Sequence, residues 1–214
     1  MPSSTSASTS ASAETSVLPS LPARPGLSDA RRRLFEAALR LFGDRGYHSV
    51  SVRDVTNELG LQAGALYAHV PSKQHLLFEL VRLGLDEHRD RLSSAVLDAG
   101  RDPADQVRAL VVAHVRTHLQ FPALARVVNR ELRSLTEEQQ AELAHIRDET
   151  QRLFVDVVAR GVSRGVFNPA DIELAVVAIG SMGIRTAEWW DARTSPDADY
   201  IADTYATFAV NLLS

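Results

Sequence analysis

From Ser28 onward the apolar residues of this chain recur at three- and four-residue intervals, and no stretch alternates with a period of two. Leu34, Ala37, Ala38, Leu41 and Phe42 form one such stripe, opened by Ser28 as N-cap and closed across Gly43 to Gly46. Two short helices are predicted next, around Val52–Leu59 and Ala63–His69, separated by a tight turn at Gly60-Leu61-Gln62. Pro71 closes the second, and Ser72 caps a long helix beginning at Lys73. Pro103 and Pro122 suit first helical positions and predict helices over 103–120 and 122–134. Thr136 with Gln139 makes a capping-box pattern for a helix running to about Arg164, where Gly165 stops it. Asn168-Pro169 opens a helix to about Ala192, and Ser195-Pro196 opens the last one. The pattern predicts an all-α protein of about nine helices, with neither strands nor internal repeats.

Residues 1–27 are Ser, Thr, Ala and Pro with almost no bulky apolar groups, and they are expected to form a disordered tail. The rest reads as a small segment, 28–88, followed by a larger one, 89–214. Charge divides along nearly the same line. Residues 28–82 carry seven Arg and one Lys against six acidic residues, while 83–214 carry fourteen Arg against twenty acids. A mildly basic segment on an acidic partner suggests that the first part alone meets a polyanion. With 214 residues and 45% apolar content the chain can bury a substantial core. It contains no cysteine, which excludes disulfides and thiolate metal sites. No apolar run is long enough for a membrane span and no secretory signal opens the sequence, so a cytoplasmic protein is expected.

One supporting helix followed by two short helices across a Gly-containing turn has the proportions of a helix-turn-helix unit. The run Ser51-Val52-Arg53-Asp54-Val55, then Leu59-Gly60-Leu61-Gln62-Ala63-Gly64-Ala65-Leu66-Tyr67-Ala68-His69-Val70-Pro71-Ser72-Lys73, resembles the TetR family of bacterial repressors. The upstream Ala38-to-Tyr47 pattern agrees with that family as well, so the match covers about sixty residues. The resemblance implies a three-helix DNA-binding head that reads double-stranded operator DNA. Ser51, Arg53 and Lys73 are then candidates for phosphate contacts, because hydroxyl, cationic groups and free amides at helix starts grip anions. Gln62, Ala63 and Ala65 lie at the front of the recognition helix, where base edges are read, and Gly64 permits close backbone approach. Tyr67 and His69 are placed to reach the sugar-phosphate rail or a base edge, or alternatively to pack and cap the helix end. Gln62 and Ala65 depart from the Ser and Thr usual in the family; Gln62 suits adenine and Ala65 a thymine methyl. Two heads related by a two-fold axis read a palindrome with half-sites ~34–36 Å or a multiple apart, so a homodimer is expected.

In this family the last two helices pair with those of a second copy. Ala175, Ala178, Ile179, Met182 and Ala187, with Ile201, Tyr205, Phe208, Ala209 and Leu212, supply stripes that suit such an interface or an ordinary core. Arg185 and Trp189 share a helix face, and the stretches around Asn129–Leu135 and Arg185–Trp190 resemble one actinobacterial subgroup that responds to acyl-CoA thioesters in sterol and fatty-acid breakdown. That resemblance nominates Arg185, Trp189, Arg147 and Arg130 for a small-molecule effector, with cations for phosphates and an indole for stacking. An Arg185–Glu188 ion pair and a core Trp are the competing reading of the same residues. His114 and His118, four apart, are expected to line a ligand cavity or to satisfy buried polar groups; no Glu follows His114 in a zinc-protease pattern and no thiol is available, so no metal is expected. Gly180-Ser181-Met182-Gly183 lacks the spacing of a nucleophile elbow, and no glycine-rich phosphate loop occurs, so neither an enzyme nor a cofactor is expected. The leading expectation is a repressor released by an acyl-CoA or other lipid- or sterol-derived catabolite. A drug-responsive repressor of an efflux pump and a helical lipid-binding protein without DNA function stand as alternatives.

Overall fold

A computed structural model describes residues 21–214. Eight α-helices follow one another: α1 (Asp29–Arg45), α2 (Val52–Glu58), α3 (Lys73–Asp98), α4 (Pro103–Gln120), α5 (Pro122–Glu131), α6 (Glu137–Ser163), α7 (Ile172–Trp189) and α8 (Ala198–Leu213). Three 3-10 helices, Tyr47–Ser49, Ala63–Ala68 and Leu132–Ser134, complete the order, and no strand occurs among the described residues. The all-α expectation holds, with the piece around residues 63–69 formed as a 3-10 helix rather than an α-helix.

Local chemistry fixes most helix ends. Ser28 Oγ accepts from the Arg31 amide at 3.4 Å. Ser51 and Asp54 cap α2 reciprocally, with Asp54 N donating to Ser51 Oγ at 3.1 Å and Ser51 N donating to Asp54 Oδ2 at 2.7 Å. Thr136 and Gln139 do the same for α6. Gly60 turns the chain after α2 at φ +67°, a conformation that side chains with a Cβ rarely adopt. Two starts lie later than the sequence pattern places them. α7 begins at Ile172 rather than at Asn168-Pro169, because Asp171 supplies the cap to Leu174 N at 2.9 Å. Asn168 instead donates its amide to the Leu213 carbonyl at 2.8 Å. The last helix is capped by Asp197, while Ser195 accepts from Asp191 N within the preceding turn.

The packing forms two apolar clusters. The first joins α1, α2 and the N-terminal half of α3 to α5 and to Leu143 and Ile146 of α6. The second joins Leu92 of α3 to α4, α6, α7 and α8. α3 runs through both, so the expected division at 88/89 falls inside a continuous helix. The expected tail lies outside the described residues as far as position 20; residues 21–27, read with it, are docked instead. Leu21 is buried, Arg32 donates to the Pro22 carbonyl at 2.8 Å, and Arg24 reaches Asp90 at 2.9 Å. No described helix is long and apolar enough to cross a membrane.

Candidate functional site

At the head, the 3-10 helix Ala63–Ala68 sits across the turn from α2, held by buried Val55, Leu66 and Val70. Ser51, Arg53, Gln62, Gly64, Tyr67 and His69 all lie exposed on this end of the molecule, Tyr67 at 58%. Nothing stands within 4 Å of where a Cβ on Gly64 would project, so that backbone is open to close approach. Two residues face otherwise than the pattern implies. Ala65 is half-buried and lines a small groove with Ala30, Leu34 and Leu59. Lys73 turns inward: its Nζ donates to the carbonyls of Tyr47 at 3.0 Å and Val50 at 2.7 Å and lies 4.0 Å from the Tyr47 ring centre. Burial lowers its pKa, partly offset by Glu131.

The larger site is a cavity of about 530 Å³ enclosed by α3, α4, α5, α6 and α7. Apolar side chains such as Leu85, Phe121, Leu124, Phe154, Val176 and Ile184 make most of its wall. Gly84 brings α3 so near α5 that a Cβ there would stand 2.6 Å from Val128. Of the residues expected at a ligand, Arg147, His114 and His118 line the cavity. Arg130, Arg185 and Trp189 do not. Val177, Gly180, Ser181 and Ile184 carry the cavity side of α7, and the next residue, Arg185, points about 100° away around the helix. Trp189 shares that outward face and is 48% exposed. Glu188 pairs with Arg130, so the Arg185–Glu188 ion pair does not form.

One lining residue, His88, carries polar chemistry that the sequence pattern gave no sign of. His88 Nε2 meets His114 Nδ1 at 2.8 Å, His114 Nε2 meets the Gly180 carbonyl at 3.0 Å, and His118 Nδ1 meets the His114 carbonyl at 2.8 Å. A carbonyl only accepts, so His114 carries its proton on Nε2 and His118 on Nδ1. His114 Nδ1 is then an acceptor, and His88 must donate from Nε2. Burial pushes all three pKa values down, that of His88 to about 3, and neighbouring imidazoles add to the shift of His88 and His114. The cluster is therefore uncharged at neutral pH, a polar floor in an apolar chamber. Within the chain, Gly180-Ser181-Met182-Gly183 is a seat for this floor. A Cβ on Gly183 would overlap the His114 ring, and Gly180 supplies the carbonyl.

The head is hydrogen-bonded to the junction of two helices that wall the cavity. Gln74, near the start of α3, accepts from the Tyr47 hydroxyl at 2.7 Å and donates to the Ser134 carbonyl at 3.1 Å and Gln139 Oε1 at 2.9 Å. Tyr47 N also donates to Glu131 Oε1 at 3.1 Å. Through these bonds the turn before α2 is tied to the α5–α6 junction.

Comparison with known proteins agrees with this arrangement. The family described as "Bacterial regulatory proteins, tetR family" matches residues 34–80, and "Tetracyclin repressor-like, C-terminal domain" matches 100–213. The HTH-type transcriptional repressor KstR2 of Mycolicibacterium smegmatis is 26% identical over 87% of this chain and 91% of its own length. A bacterial regulatory protein in the tetR family from Rhodococcus RHA1 is 32% identical and superposes with a TM-score of 0.82 over 87% of this chain and 98% of its own. The ketosteroid transcriptional regulator KstR2 of Mycobacterium tuberculosis, at 24% identity, shares the fold with a TM-score of 0.77 over 84% of this chain and 93% of its own. The chain belongs to the TetR family: it is a ligand-responsive DNA-binding repressor that acts as a dimer.

Proposed function

We propose that the effector is an anionic, largely apolar catabolite of the acyl or sterol-ring class, presented as a carboxylate or a CoA thioester, and that its entry releases operator DNA. The cavity's charge carries this reading. Glu87, the one carboxylate lining it among the described residues, is engaged by Arg91 at 2.6 Å and Arg24 at 3.5 Å, whereas Arg147 is an exposed cation on the lining. A cationic drug finds no unpaired acid there, which disfavours the efflux-pump alternative. A volume of about 530 Å³ accommodates an acyl chain or fused rings, and a CoA nucleotide would remain outside. The repressors named KstR2 among the relatives, one described as a ketosteroid regulator, support the same class.

At the head, Ser51, Arg53, Gln62, Gly64, Tyr67 and His69 make the DNA-facing surface, and Lys73 braces it from behind. A ligand wedged between α3 and α5 strains the seam at Gly84 and Val128, and the Gln74 and Glu131 bonds carry that strain to the head. The shift requires that the ligand bind the released state more tightly than the DNA-competent one. The protein works where the chromosome is, in the cytoplasm.

Fluorescence anisotropy with the DNA upstream of its own gene tests the reading. A long-chain or steroid-acid CoA thioester is expected to release the DNA at micromolar concentration, with free CoA and a cationic dye inert. Release by the dye alone would establish a drug sensor. Tight lipid binding with no DNA binding at all would establish a carrier.

A further inference from the structure

We propose that His88, His114 and His118 form a three-imidazole site for a divalent d-block cation of the zinc or cobalt class, with its remaining position open to the cavity. The site lies in the effector chamber, yet it depends on three side chains and not on which organic molecule the chamber takes.

One nitrogen from each ring lies within 4.8 Å of the others. His114 and His118 stand one helical turn apart on α4, and His88 faces them from α3. The hydrogen-bond pattern has already sorted the protons. His114 Nε2–H is held by the Gly180 carbonyl and His118 Nδ1–H by the His114 carbonyl, which leaves His114 Nδ1 and His118 Nε2 as lone pairs. Such backbone partners on the non-coordinating nitrogen fix ring orientation and raise ligand basicity. Two of the three rings are thus in the tautomer a metal requires. The third needs one change, transfer of the His88 proton from Nε2 to Nδ1. The 2.8 Å between His88 Nε2 and His114 Nδ1 must also widen by about 0.5 Å, to the ~3.3 Å edge of a tetrahedron with metal–nitrogen bonds of ~2.0–2.1 Å. The two rings sit on different helices and can part by small rotations.

The donor set selects the metal. Three nitrogens without thiolate or carboxylate suit zinc, cobalt or nickel and not magnesium or calcium. Two positive charges in an apolar chamber require an anionic fourth ligand, and a hydroxide or an effector carboxylate oxygen meets that need from the open side.

The test uses the tag-free full chain, stripped with chelator, dialysed and titrated with cobalt(II) in the absence of any organic ligand. The expected result is one cobalt per chain with the intensified visible bands of four-coordinate cobalt. The His88→Gln/His118→Gln double variant should bind at least ~10–100-fold more weakly, the loss that even outer partners of a metal site produce. His145→Gln, which removes an exposed imidazole on α6, should bind as wild type. X-ray absorption on the wild-type cobalt form should show three imidazole nitrogens, an answer that stands even where the double variant fails to fold. Absence of stoichiometric uptake by the wild type, fewer than three imidazoles, or unweakened binding by a folded double variant would each overturn the site. Each of these outcomes leaves the lipid-effector reading untouched, because no lipid enters the measurement.

Discussion

Lys73 is the chain's one lysine, and its ammonium is directed into the fold, where two carbonyls and the face of Tyr47 hold it. Removing it strands the Val50 carbonyl in a partly buried turn, while the Tyr47 carbonyl keeps the Val50 amide at 3.3 Å, a loss of about 1–3 kcal/mol. Lys73→Ala should therefore lower the melting temperature and weaken operator binding equally at every salt concentration. Its plot of log affinity against log salt should run parallel to that of the wild type. Arg53→Ala removes an exposed cation beside the α2 cap and should flatten that plot by about 0.9 per lost phosphate contact. A flattened plot for Lys73→Ala would show instead that the ammonium reaches DNA. The sequence places both cations near helix starts and cannot tell them apart, because the carbonyls that capture Lys73 lie 26 and 23 residues earlier. Arg185 and Trp189 show the same limit. Their shared face follows from spacing alone, whereas its outward direction depends on which side of α7 meets α4.

Helix ends are legible where one cap signal stands unrivalled beside the end, as at Ser51, Ser72 and Thr136. The start of α7 was not, since Asn168-Pro169 and Asp171 offer rival signals and Asp171 prevails once Asn168 is drawn to Leu213. The cavity was legible only in fragments: five helices contribute one face each, and His88 joins His114 across 26 residues of chain. The two glycines of α7 make the seam between α4 and α7 testable. A Cβ on Gly183 collides with the His114 ring, so Gly183→Ala should destabilise by about 1–3 kcal/mol through overpacking. At Gly180 nothing stands within 4 Å of the added Cβ, and the alanine's better helix propensity should stabilise by about 0.5–1 kcal/mol. Urea denaturation of the two variants reads both signs, and like-signed shifts would disprove the close approach.

At the scale of the whole molecule, buried imidazoles tie stability to pH. An unfolded histidine titrates near 6.5, so below about pH 6.5 the unfolded chain binds protons that the folded cluster refuses, and stability falls with pH. His88 resists protonation until about pH 3, so its share of the loss grows by about 1.4 kcal/mol per pH unit across that interval. The urea midpoint of chelator-treated protein should fall steadily from pH 7 to pH 5, and His88→Gln should make that fall shallower. Assembly follows from the surface these same helices present. Ala175, Ile179, Ile201 and Ala209, which suited an interface by composition, are buried within the chain. Leu174 of α7 and Phe208 and Leu212 of α8, which lie away from the cavity, remain 41–68% exposed. An apolar face of that kind is unfavourable in water, and a two-fold copy of it is self-complementary. If it is the dimer contact, one charge in the face meets its own like charge across the axis. Leu174→Asp together with Phe208→Asp should yield a monomer by light scattering and lose operator affinity at least tenfold, while the helical circular dichroism persists. A double variant that stayed dimeric would move the interface elsewhere on the molecule, and the spacing of the two heads on DNA with it.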